Sequence, residues 1–415
     1  MQLESGDLMR TVGLIVEYNP LHNGHVYHFQ ESMKLTQATH SVAVMSGNFL
    51  QRGEPAIVNK WARTEMALSI GIDLVLEIPL LFATQSAEIF AHGAVSILHH
   101  SRCVDSLCFG SESGELDWLL EGAKKIAQES QRFKNNLKEY LSQGFSYPKA
   151  YGTALQSELK DWKIPLDQPN NILGFHYLLA LERLKSPIVP MTIQRKKSGY
   201  NQKEFTDPSI ASATAIRNQI FYQQGFHLES IAPYVPTTSL NILEREWKKG
   251  RGPVSWDDFY HTLTHLLLSK DETELSSIIH MEQGLPERIK KQLLISPDFI
   301  SLMKQIKTKR YAWTRLQRLL LHTLLNITQQ KAEQCEMNVG PAYIRVLGFS
   351  QKGQELLAKM KKRASLPIIS RISKAKHPML QLDVLGSQIY SLGYKASGHS
   401  GLRMEYEQPP IQLKH

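Results

Sequence analysis

The order of apolar and amphipathic segments over the first 110 residues constrains the fold more than any other feature of this chain. Four apolar runs, typical of strands, span residues 11–16, 41–45, 73–78 and 104–109, and segments with helical spacing lie between them at residues 23–35, 59–70 and 85–100. Runs that are apolar on both faces and alternate with helices predict a parallel sheet in a doubly wound α/β domain. Such domains bind ligands at the carboxyl ends of their strands.

Two histidines lie directly after the first predicted strand. His22 and His25 flank Asn23 and Gly24, where the spacing of apolar residues predicts the start of a helix. Side chains three positions apart project to the same side, and Gly24 leaves the backbone open to close approach. The free N–H groups and the dipole of a helix start favour anions. The pattern therefore predicts a site for the phosphates of a nucleoside triphosphate, although a pair of this kind taken alone also occurs at ordinary surface turns.

Two further turns follow predicted strands. Ser46, Gly47 and Asn48 come after the second strand, and Gly110 opens a turn at residues 110–114 after the fourth. Because the carboxyl ends of parallel strands meet at one edge of a sheet, we expect both turns to converge with the histidines on one crevice.

A basic triplet marks the end of another predicted strand, at residues 188–193. Arg195, Lys196 and Lys197 follow this strand. Taken alone they would be a solvated surface, but at a strand end they are well placed for phosphate, and the planar donors of Arg195 suit bidentate contact.

Two predicted helix starts have both a structural and a functional interpretation. Asn170 opens a helix, where its side chain either caps the helix or contacts a nucleotide. Ser212 precedes a helix that carries Arg217, and this segment is either an ordinary cap or a second group of phosphate contacts. Pairing with the histidines favours the phosphate interpretation.

Longer strings around these residues resemble a known family. They are Gly-Leu-Ile-Val-Glu-Tyr-Asn-Pro-Leu-His-Asn-Gly-His at residues 13–25, Met-Ser-Gly-Asn-Phe-Leu-Gln-Arg-Gly-Glu-Pro at 45–55, Phe-Gly-Ser-Glu-Ser-Gly at 109–114 and Pro-Asn-Asn-Ile-Leu-Gly at 169–174. They are similar to strings in the nucleotidyltransferases with a His-x-Gly-His motif and, among these, in the bacterial tRNA(Met) cytidine acetate ligases. The resemblance continues more loosely at residues 212–217 and 343–348. Leu21 departs from it, because an aromatic residue is expected there.

The resemblance implies a Rossmann-like nucleotidyltransferase domain and an ATP-dependent reaction. His22 and His25 would be catalytic and stabilise the α- and β-phosphoryl oxygens, while Arg195, Arg217 and Lys196 would hold the departing pyrophosphate. The residues that it implies for ATP binding are Ile15, Val16, Glu17, Tyr18, Asn19, Pro20, Leu21, His22, Asn23, Gly24, His25, Val26, Tyr27, His28, Gly110, Asn170, Arg195, Lys196 and Arg217. Magnesium is expected with ATP, although the sequence shows no clear carboxylate cluster for it and no protein metal site is predicted.

The resemblance also implies the substrates. Acetate would be the nucleophile, acetyl-adenylate the intermediate, and the wobble cytidine of elongator tRNA(Met) the acceptor, so that the product is N-acetylcytidine. Composition does not establish this choice, since a two-carbon acid leaves no recognisable pocket signature. A mixed anhydride is reactive enough to acylate a weak aromatic amine, provided that water is excluded.

Charge is distributed unevenly along the chain, whose formal net charge is +9. Residues 1–110 hold 6 basic and 10 acidic side chains, whereas residues 301–378 hold 16 basic and 3 acidic ones. A solvated lysine-rich surface is the simple explanation, but aromatic residues are interspersed and provide stacking faces as well. We therefore predict a nucleic-acid-binding surface that includes Lys309, Arg310, Arg315 and Arg318.

The length of 415 residues predicts two or three domains. We expect an N-terminal extension at residues 1–8, an ATP-binding nucleotidyltransferase-like domain at 9–225 and a mainly helical, basic, tRNA-binding region at 226–415. No apolar stretch suggests a membrane span, no signal-peptide pattern is present, and the three cysteines lack the spacing of a disulfide framework or zinc site. These features predict a cytoplasmic protein, and nothing implies a stable protein partner.

Two other functional classes stay open on the sequence. A small-molecule adenylyltransferase would share the histidine motif but would not need the basic segment. A non-catalytic RNA-binding protein would need the basic segment but not the phosphate turns.

Overall fold

The computed structural model describes residues 9–127, 130–145, 147–158, 168–195, 211–223, 227–372, 376–396 and 400–413. The expected N-terminal extension at residues 1–8 and the predicted phosphate contact Lys196 lie outside these ranges.

One mixed sheet organises the chain. Its strands are β1 (Thr11–Val16), β2 (His40–Ser46), β3 (Leu74–Ile78), β4 (Ser106–Ser111), β5 (Val189–Gln194), β6 (Ile344–Phe349), β7 (Ile368–Ile369) and β8 (Ile411–Gln412). They are ordered β5-β4-β1-β2-β3-β6-β7, with β8 also paired to β6. The pairs from β5 to β3 are parallel, and β6 runs antiparallel to β3. The predicted α/β fold class with a parallel sheet is confirmed.

Helices pack around the sheet. They are α1 (Asn23–Thr36), α2 (Lys60–Ser69), α3 (Leu80–Ala83), α4 (Ala87–Ser101), α5 (Asp117–Ala127), α6 (Gln131–Ser142), α7 (Tyr147–Glu158), α8 (Pro169–Arg183), α9 (Ala213–Tyr222), α10 (Thr237–Lys248), α11 (Asp257–Ser269), α12 (Glu272–Ser276), α13 (Leu285–Leu293), α14 (Phe299–Ile306), α15 (Trp313–Leu324), α16 (Gln329–Glu333), α17 (Gln351–Arg363), α18 (Pro378–Ser391) and α19 (Met404–Glu407). No helix in these ranges is both long enough and apolar enough to span a membrane.

The central strands are buried on both faces, as their composition predicts. Val42 and Val44 of β2 belong to one buried apolar cluster, and Ala43 and Met45 belong to the other. Successive strand side chains point to opposite faces, so the two clusters lie on opposite sides of the sheet. This double burial explains why the strands read as continuous apolar runs rather than as an alternating pattern.

The chain after residue 225 adds strands as well as helices. We expected the strand and helix alternation to stop there, but β6, β7 and β8 join the same sheet, with Leu76 of β3 paired to Val346 of β6. Two of these strands have only two residues each, which is too short for any periodic pattern. The domain boundary near residue 225 stays a prediction.

A ring of buried ion pairs connects the late strand to the parallel part of the sheet. Lys60 Nζ lies 2.7 Å from Glu77 and 2.9 Å from Glu405. Arg345 lies 3.2 Å from Glu77 and 2.8 Å from Glu405. All four residues are buried. We call them the ionic ring; it joins α2, β3, β6 and α19 with two cations and two carboxylates.

Candidate active site

A cavity of about 250 Å³ opens at the carboxyl ends of β1, β4 and β5. The predicted ATP-binding residues that line it are Ile15, Val16, Glu17, Tyr18, Asn19, His22, Gly24, His25, Tyr27, His28, Gly110, Asn170, Arg195 and Arg217. The structure therefore brings together residues from the histidine motif, the Gly110 turn, the start of α8, the end of β5 and the start of α9.

The histidine motif forms the predicted strand-to-helix turn. His22 is the N-cap of α1, and its Nδ1 accepts a hydrogen bond of 3.1 Å from the backbone N–H of Gly24. His25 Nδ1 accepts one of 3.2 Å from the backbone N–H of His22. The two rings lie 3.7 Å apart between centroids. The imidazoles are thus part of the helix cap as well as of the cavity wall.

These two backbone contacts fix the proton positions of both rings. A neutral imidazole whose Nδ1 accepts a hydrogen bond carries its proton on Nε2. Burial, Arg195 and Arg217 lower the pKa of His22 to about 3, and burial with His22 and Arg195 lowers the pKa of His25 well below its usual value. Near neutral pH the pair therefore presents two uncharged N–H donors, which suit phosphoryl oxygens.

One group of cavity residues surrounds Gly110. A Cβ added at Gly110 would lie 3.2 Å from Arg195 Cγ, so the absence of a side chain lets Arg195 approach, and it would be in ordinary contact with His28 Cδ2 at 3.9 Å. Arg195 Nη1 donates to Asn170 Oδ1 at 3.3 Å. Burial and Arg195 lower the pKa of His28 to about 4. The predicted contacts Gly110, Asn170 and Arg195 therefore form one connected group.

Asn170 is not the cap of α8. The N-cap residue is Gln168, whose side chain makes no capping bond. Instead the Glu112 carboxylate accepts the backbone N–H groups of Asn170, at 3.1 Å, and Asn171, at 2.8 Å. It also accepts the side-chain amide of Asn170 at 2.6 Å. The capping interpretation is wrong because Glu112 satisfies the helix start, and this leaves the Asn170 carbonyl to orient Arg195.

The start of α9 forms another wall of the cavity. Ser212 caps this helix by accepting the backbone N–H of Ala215 at 3.1 Å. Arg217 donates to the backbone carbonyl of Asn19 at 2.9 Å and pairs with Glu54 at 3.2 Å. The capping interpretation of Ser212 is confirmed, and the same helix still places Arg217 in the cavity.

Sequence reasoning assigned no role to a loop that borders the cavity. Leu50, Gln51, Arg52 and Glu54 line it, although all belong to the string at residues 45–55 that carries the family resemblance. The Glu17 carboxylate fixes this loop by accepting the backbone N–H of Gln51 at 2.8 Å. That string was the signal that could have identified these residues. Further lining residues outside the predicted set are Phe90, Phe109, Leu173, Tyr177, Ile193, Gln194, Ala213 and Thr214.

Some predicted residues lie beside the cavity rather than in its lining. Pro20 and Leu21 are buried. Asn23 donates from its side chain to the Pro233 carbonyl at 2.9 Å. Val26 packs against a core cluster. The ATP-binding set is therefore divided between residues that face the cavity and residues that hold the turn in place.

The turn at residues 46–48 also lies behind the cavity. Ser46 is buried and donates to Glu17 at 3.5 Å. Asn48 accepts the backbone N–H of Lys60 at 2.7 Å and donates to Ser387 at 3.1 Å. None of the three turn residues is among the lining residues. The expected convergence is thus correct for two turns, while this third turn supports them.

The predicted nucleic-acid residues surround one carboxylate. Arg310 Nη2 lies 3.0 Å from Glu282, and Arg315 also pairs with Glu282. Both guanidinium groups lie over the Tyr311 ring, at 5.4 and 5.2 Å. Arg318 forms no ion pair within the part of the chain that the structure describes. We call Arg310, Arg315 and Arg318 the α15 arginine group, after the helix that carries the last two.

This arginine group reaches the cavity. Arg318 Nη1 donates to the backbone carbonyl of Gln51 at 3.4 Å. Burial and the nearby charges of Arg315 and Arg52 together lower the pKa of Arg318 to about 10. Since Arg52 lines the cavity, the positive charge of the arginine group extends to the cavity wall.

Comparison with known proteins agrees with this geometry. A family model described as HIGH Nucleotidyl Transferase matches residues 9–404. A tRNA(Met) cytidine acetate ligase of Geobacillus sp. (strain WCH70) is 42% identical, and the match covers 97% of this chain and 100% of the relative. A Thermoanaerobacter sp. (strain X514) protein of the same name is 43% identical over 98% of this chain and 100% of its own length. The chain belongs to the tRNA(Met) cytidine acetate ligase family.

Solved structures of this family share the fold. The apo crystal structure of Thermotoga maritima TmcAL superposes with a TM-score of 0.91 at 33% identity and covers 98% of this chain and 100% of that protein. A second structure of the Thermotoga protein, bound with alpha-thio ATP, has a TM-score of 0.90 at 33% identity with the same coverage. The family membership and the fold class predicted from the sequence are confirmed.

Proposed function

We propose that this chain activates acetate with ATP and transfers the acetyl group to the wobble cytidine of elongator tRNA(Met). The observation that carries the proposal is the pair of imidazoles of His22 and His25 in a strand-end cavity, whose Nδ1 atoms both accept backbone N–H groups and so leave Nε2 as the donor. The relatives named tRNA(Met) cytidine acetate ligases support the acid and the acceptor. The alpha-thio ATP in the Thermotoga structure supports the nucleotide.

In the first half-reaction an acetate oxygen attacks the α-phosphorus of ATP, and pyrophosphate leaves. His22 and His25 donate to the α- and β-phosphoryl oxygens as negative charge develops on them. Arg195 and Arg217 hold the departing pyrophosphate, and Lys196 is proposed to assist. Positioning and charge stabilisation provide most of the catalysis in such a transfer.

Magnesium is proposed to enter as the counter-ion of ATP rather than as a resident ion. No group of three or more histidine, cysteine, aspartate or glutamate side chains that could hold a metal occurs among the described residues. Glu54 is paired with Arg217, and Glu17 already accepts a backbone N–H. Magnesium commonly binds through substrate phosphates with few protein ligands.

In the second half-reaction the cytidine amine attacks the acetyl carbonyl of acetyl-adenylate. N-acetylcytidine forms, and AMP leaves. The RNA is proposed to lie on the α15 arginine group and Lys309, where guanidinium groups and the Tyr311 ring provide phosphate and stacking contacts. We expect this activity in the cytoplasm and without a stable protein partner.

The decisive experiment is mass spectrometry of tRNA nucleosides after incubation with ATP and isotope-labelled acetate. Labelled acetylcytidine is the expected product. Acetate-stimulated exchange between ATP and pyrophosphate tests the first half-reaction separately. Exchange that does not depend on acetate would favour a small-molecule adenylyltransferase, and RNA binding without any exchange would favour a non-catalytic binding protein.

The histidine and arginine variants test the division of labour. His25→Ala is expected to abolish exchange and to leave tRNA affinity within a few-fold, because the imidazole contacts ATP and not RNA. Charge reversal at Arg315 and Arg318 is expected to weaken tRNA binding and to preserve exchange. Loss of both properties in a folded His25→Ala protein would contradict this division.

A further inference from the structure

The second half-reaction releases a proton that the cavity must accept. When the cytidine nitrogen bonds to the acetyl carbon, the bond from that carbon to the phosphate oxygen of AMP breaks and the oxygen keeps the electron pair. The nitrogen carries an extra proton until a base removes it. A weakly basic aromatic amine gains from a positioned carboxylate or imidazole at this step.

The histidine pair is not suited to this task. His22 and His25 use Nδ1 to accept backbone N–H groups, so the remaining nitrogen of each ring is already protonated. His28 lies beside Arg195, and burial together with that charge lowers its pKa to about 4. The imidazoles therefore act as donors or are poor bases near neutral pH.

The two carboxylates that line the cavity differ in their partners. Glu54 is already engaged by a guanidinium group, because it pairs with Arg217 at 3.2 Å. Glu17 is anchored through Oε1 alone, by the backbone N–H of Gln51 at 2.8 Å and the hydroxyl of Ser46 at 3.5 Å. Among the described residues, Glu17 Oε2 has no hydrogen-bond partner.

The surroundings of Glu17 also favour a base. Burial raises the pKa of its carboxyl, and the charge of Glu54 raises it as well. The Gln51 N–H, Arg52 and Arg217 act in the opposite direction. Arg63, which donates to the Glu17 backbone carbonyl at 2.6 Å, also lies nearby. The net effect raises the pKa of the Glu17 carboxyl, and a general base is most effective when its pKa lies near the pH of the reaction.

The position of Glu17 fits the acceptor side of the cavity. Glu17 directly follows β1 and contacts the loop that contains Arg52, and this loop also contacts Arg318 of the arginine group. Gly110, Asn170 and Arg195 form the other connected group, and His22 is within electrostatic reach of both Arg195 and Arg217. RNA that follows the arginines would therefore reach the cavity at the loop that Glu17 anchors.

We infer that Glu17 is the general base of acetyl transfer and that its Oε2 takes the proton from the attacking cytidine amine. This inference rests on the proposed function. The N–C bond forms, the C–O bond to AMP breaks, the proton passes from nitrogen to Glu17, and the carboxyl then releases it to solvent. Glu17 contacts the reacting nitrogen and is therefore a catalytic residue, not only a residue that holds the loop.

The test separates the two half-reactions in Glu17→Gln. Glutamine retains the oxygen that accepts the Gln51 N–H but cannot take a proton. We expect acetyl transfer to a tRNA transcript to fall by about 100-fold or more, and acetate-dependent ATP–pyrophosphate exchange to fall by much less, so that the ratio of transfer to exchange drops by at least about tenfold. In the wild type, transfer is expected to decline as the pH falls through the raised pKa of Glu17, and the variant should lack this decline.

Controls keep the inference falsifiable. Glu17→Asp retains a carboxylate one methylene shorter, so it should recover part of the transfer rate together with its pH dependence. Glu54→Gln releases Arg217 and is expected to impair exchange and transfer alike. Equal losses of exchange and transfer in a folded Glu17→Gln protein, or unchanged transfer, would overturn the inference. Absence of acetate-dependent exchange in the wild type would instead overturn the proposed function.

Discussion

The ionic ring and the α15 arginine group differ in how their positive charges are balanced by carboxylates. In the ring, Lys60 and Arg345 are matched by two carboxylates, and every member is buried. In the arginine group, Glu282 is the one carboxylate that pairs with the guanidinium groups of the described residues, and Arg318 lies close to two like charges. The ring is balanced within the fold, whereas the arginine group is not.

The difference indicates separate purposes. Arg318 is partly buried and has no ion pair among the described residues, and such a cation destabilises the native state unless a ligand supplies the missing charge. RNA phosphates would supply it beside the cavity, and nothing further is needed at the ring. We therefore expect variants of the ring to change stability, and variants of the arginine group to change RNA binding.

The largest effect is expected from Glu405→Gln in the ionic ring. Removal of one carboxylate leaves two buried cations with a single charged partner and should lower the free energy of unfolding by about 3–5 kcal/mol. Urea unfolding measures the loss. Glu407→Gln is the matched control on the same short helix, because Glu407 is exposed and forms only a surface pair with Arg403. It should change stability by less than about 0.5 kcal/mol.

Equal changes in the free energy of unfolding in these two variants would show that the ionic ring does not stabilise the fold. A large loss of tRNA affinity in a Glu405→Gln protein that is folded under the assay conditions would contradict the separation as well, because the ring has no exposed charge to offer RNA.

The next largest effect is a loss of stability at acidic pH. Burial, His280 and Arg318 lower the pKa of the fully buried His322 to about 3, from an ordinary value of 6.5. The unfolded chain therefore binds more protons as the pH falls below 6.5, and native stability falls with it. At pH 5 this one residue accounts for a loss on the order of 2 kcal/mol. Other buried histidines, such as His176, add to the loss.

The ring should not contribute to this acid loss. Lys60 and Arg345 hold the pKa of Glu405 below its ordinary value, so its contribution is present above pH 4.5 and disappears only as the pH falls through the lower native pKa. Unfolding free energies at pH 7.5 and 5 measure the difference. Wild type and Glu405→Gln should lose similar amounts, and His322→Gln should lose less. A steeper loss in the wild type than in Glu405→Gln would assign the acid effect to the ring.

The same comparison shows what the sequence could and could not predict. The four early strands and α1 follow from local apolar patterns, and the structure has them within a few residues of the predicted bounds. The ring and the pairing of β3 with β6 were missed, because they join residues far apart in sequence and a charged residue gives no local sign of burial. β7 and β8 were missed because two residues carry no period.

The cavity shows the same limit. The motif at residues 13–25 predicted its phosphate wall directly. Arg52 and Glu54 were within a recognised string but received no role, because their position depends on the Glu17 contact that folds the loop over the cavity. Glu112 accepts the N–H groups at the start of α8 in place of an Asn170 cap. This could not be predicted either, because it depends on a contact between two separate turns.

A moderate effect is expected from Arg318→Gln in the arginine group. Loss of one phosphate-binding charge should weaken tRNA binding by about fivefold to tenfold, or on the order of 1 kcal/mol. It should also reduce the salt dependence of binding by roughly one counter-ion. Stability should hold or rise, because the variant removes a charge that Arg315 and Arg52 disfavour. Filter binding at several salt concentrations and thermal unfolding test both expectations, and unchanged tRNA affinity would remove Arg318 from the proposed RNA surface.

The smallest effect is expected from Glu282→Gln, where the direction of the change in tRNA affinity is what matters. Glu282→Gln removes the carboxylate that pairs with Arg310 and Arg315, and those pairs hold the pKa of Glu282 below its usual value. The freed guanidinium groups no longer have to exchange a protein carboxylate for phosphate, so tRNA binding should tighten by about twofold to threefold at low salt. Glu333→Gln, a change of charge on the neighbouring α16, serves as the matched control for general electrostatic attraction. If Glu282→Gln weakens binding while the protein stays folded, Glu282 positions the arginines for RNA and does not compete with RNA for them. The carboxylate of the arginine group would then have a structural role, as the carboxylates of the ionic ring do.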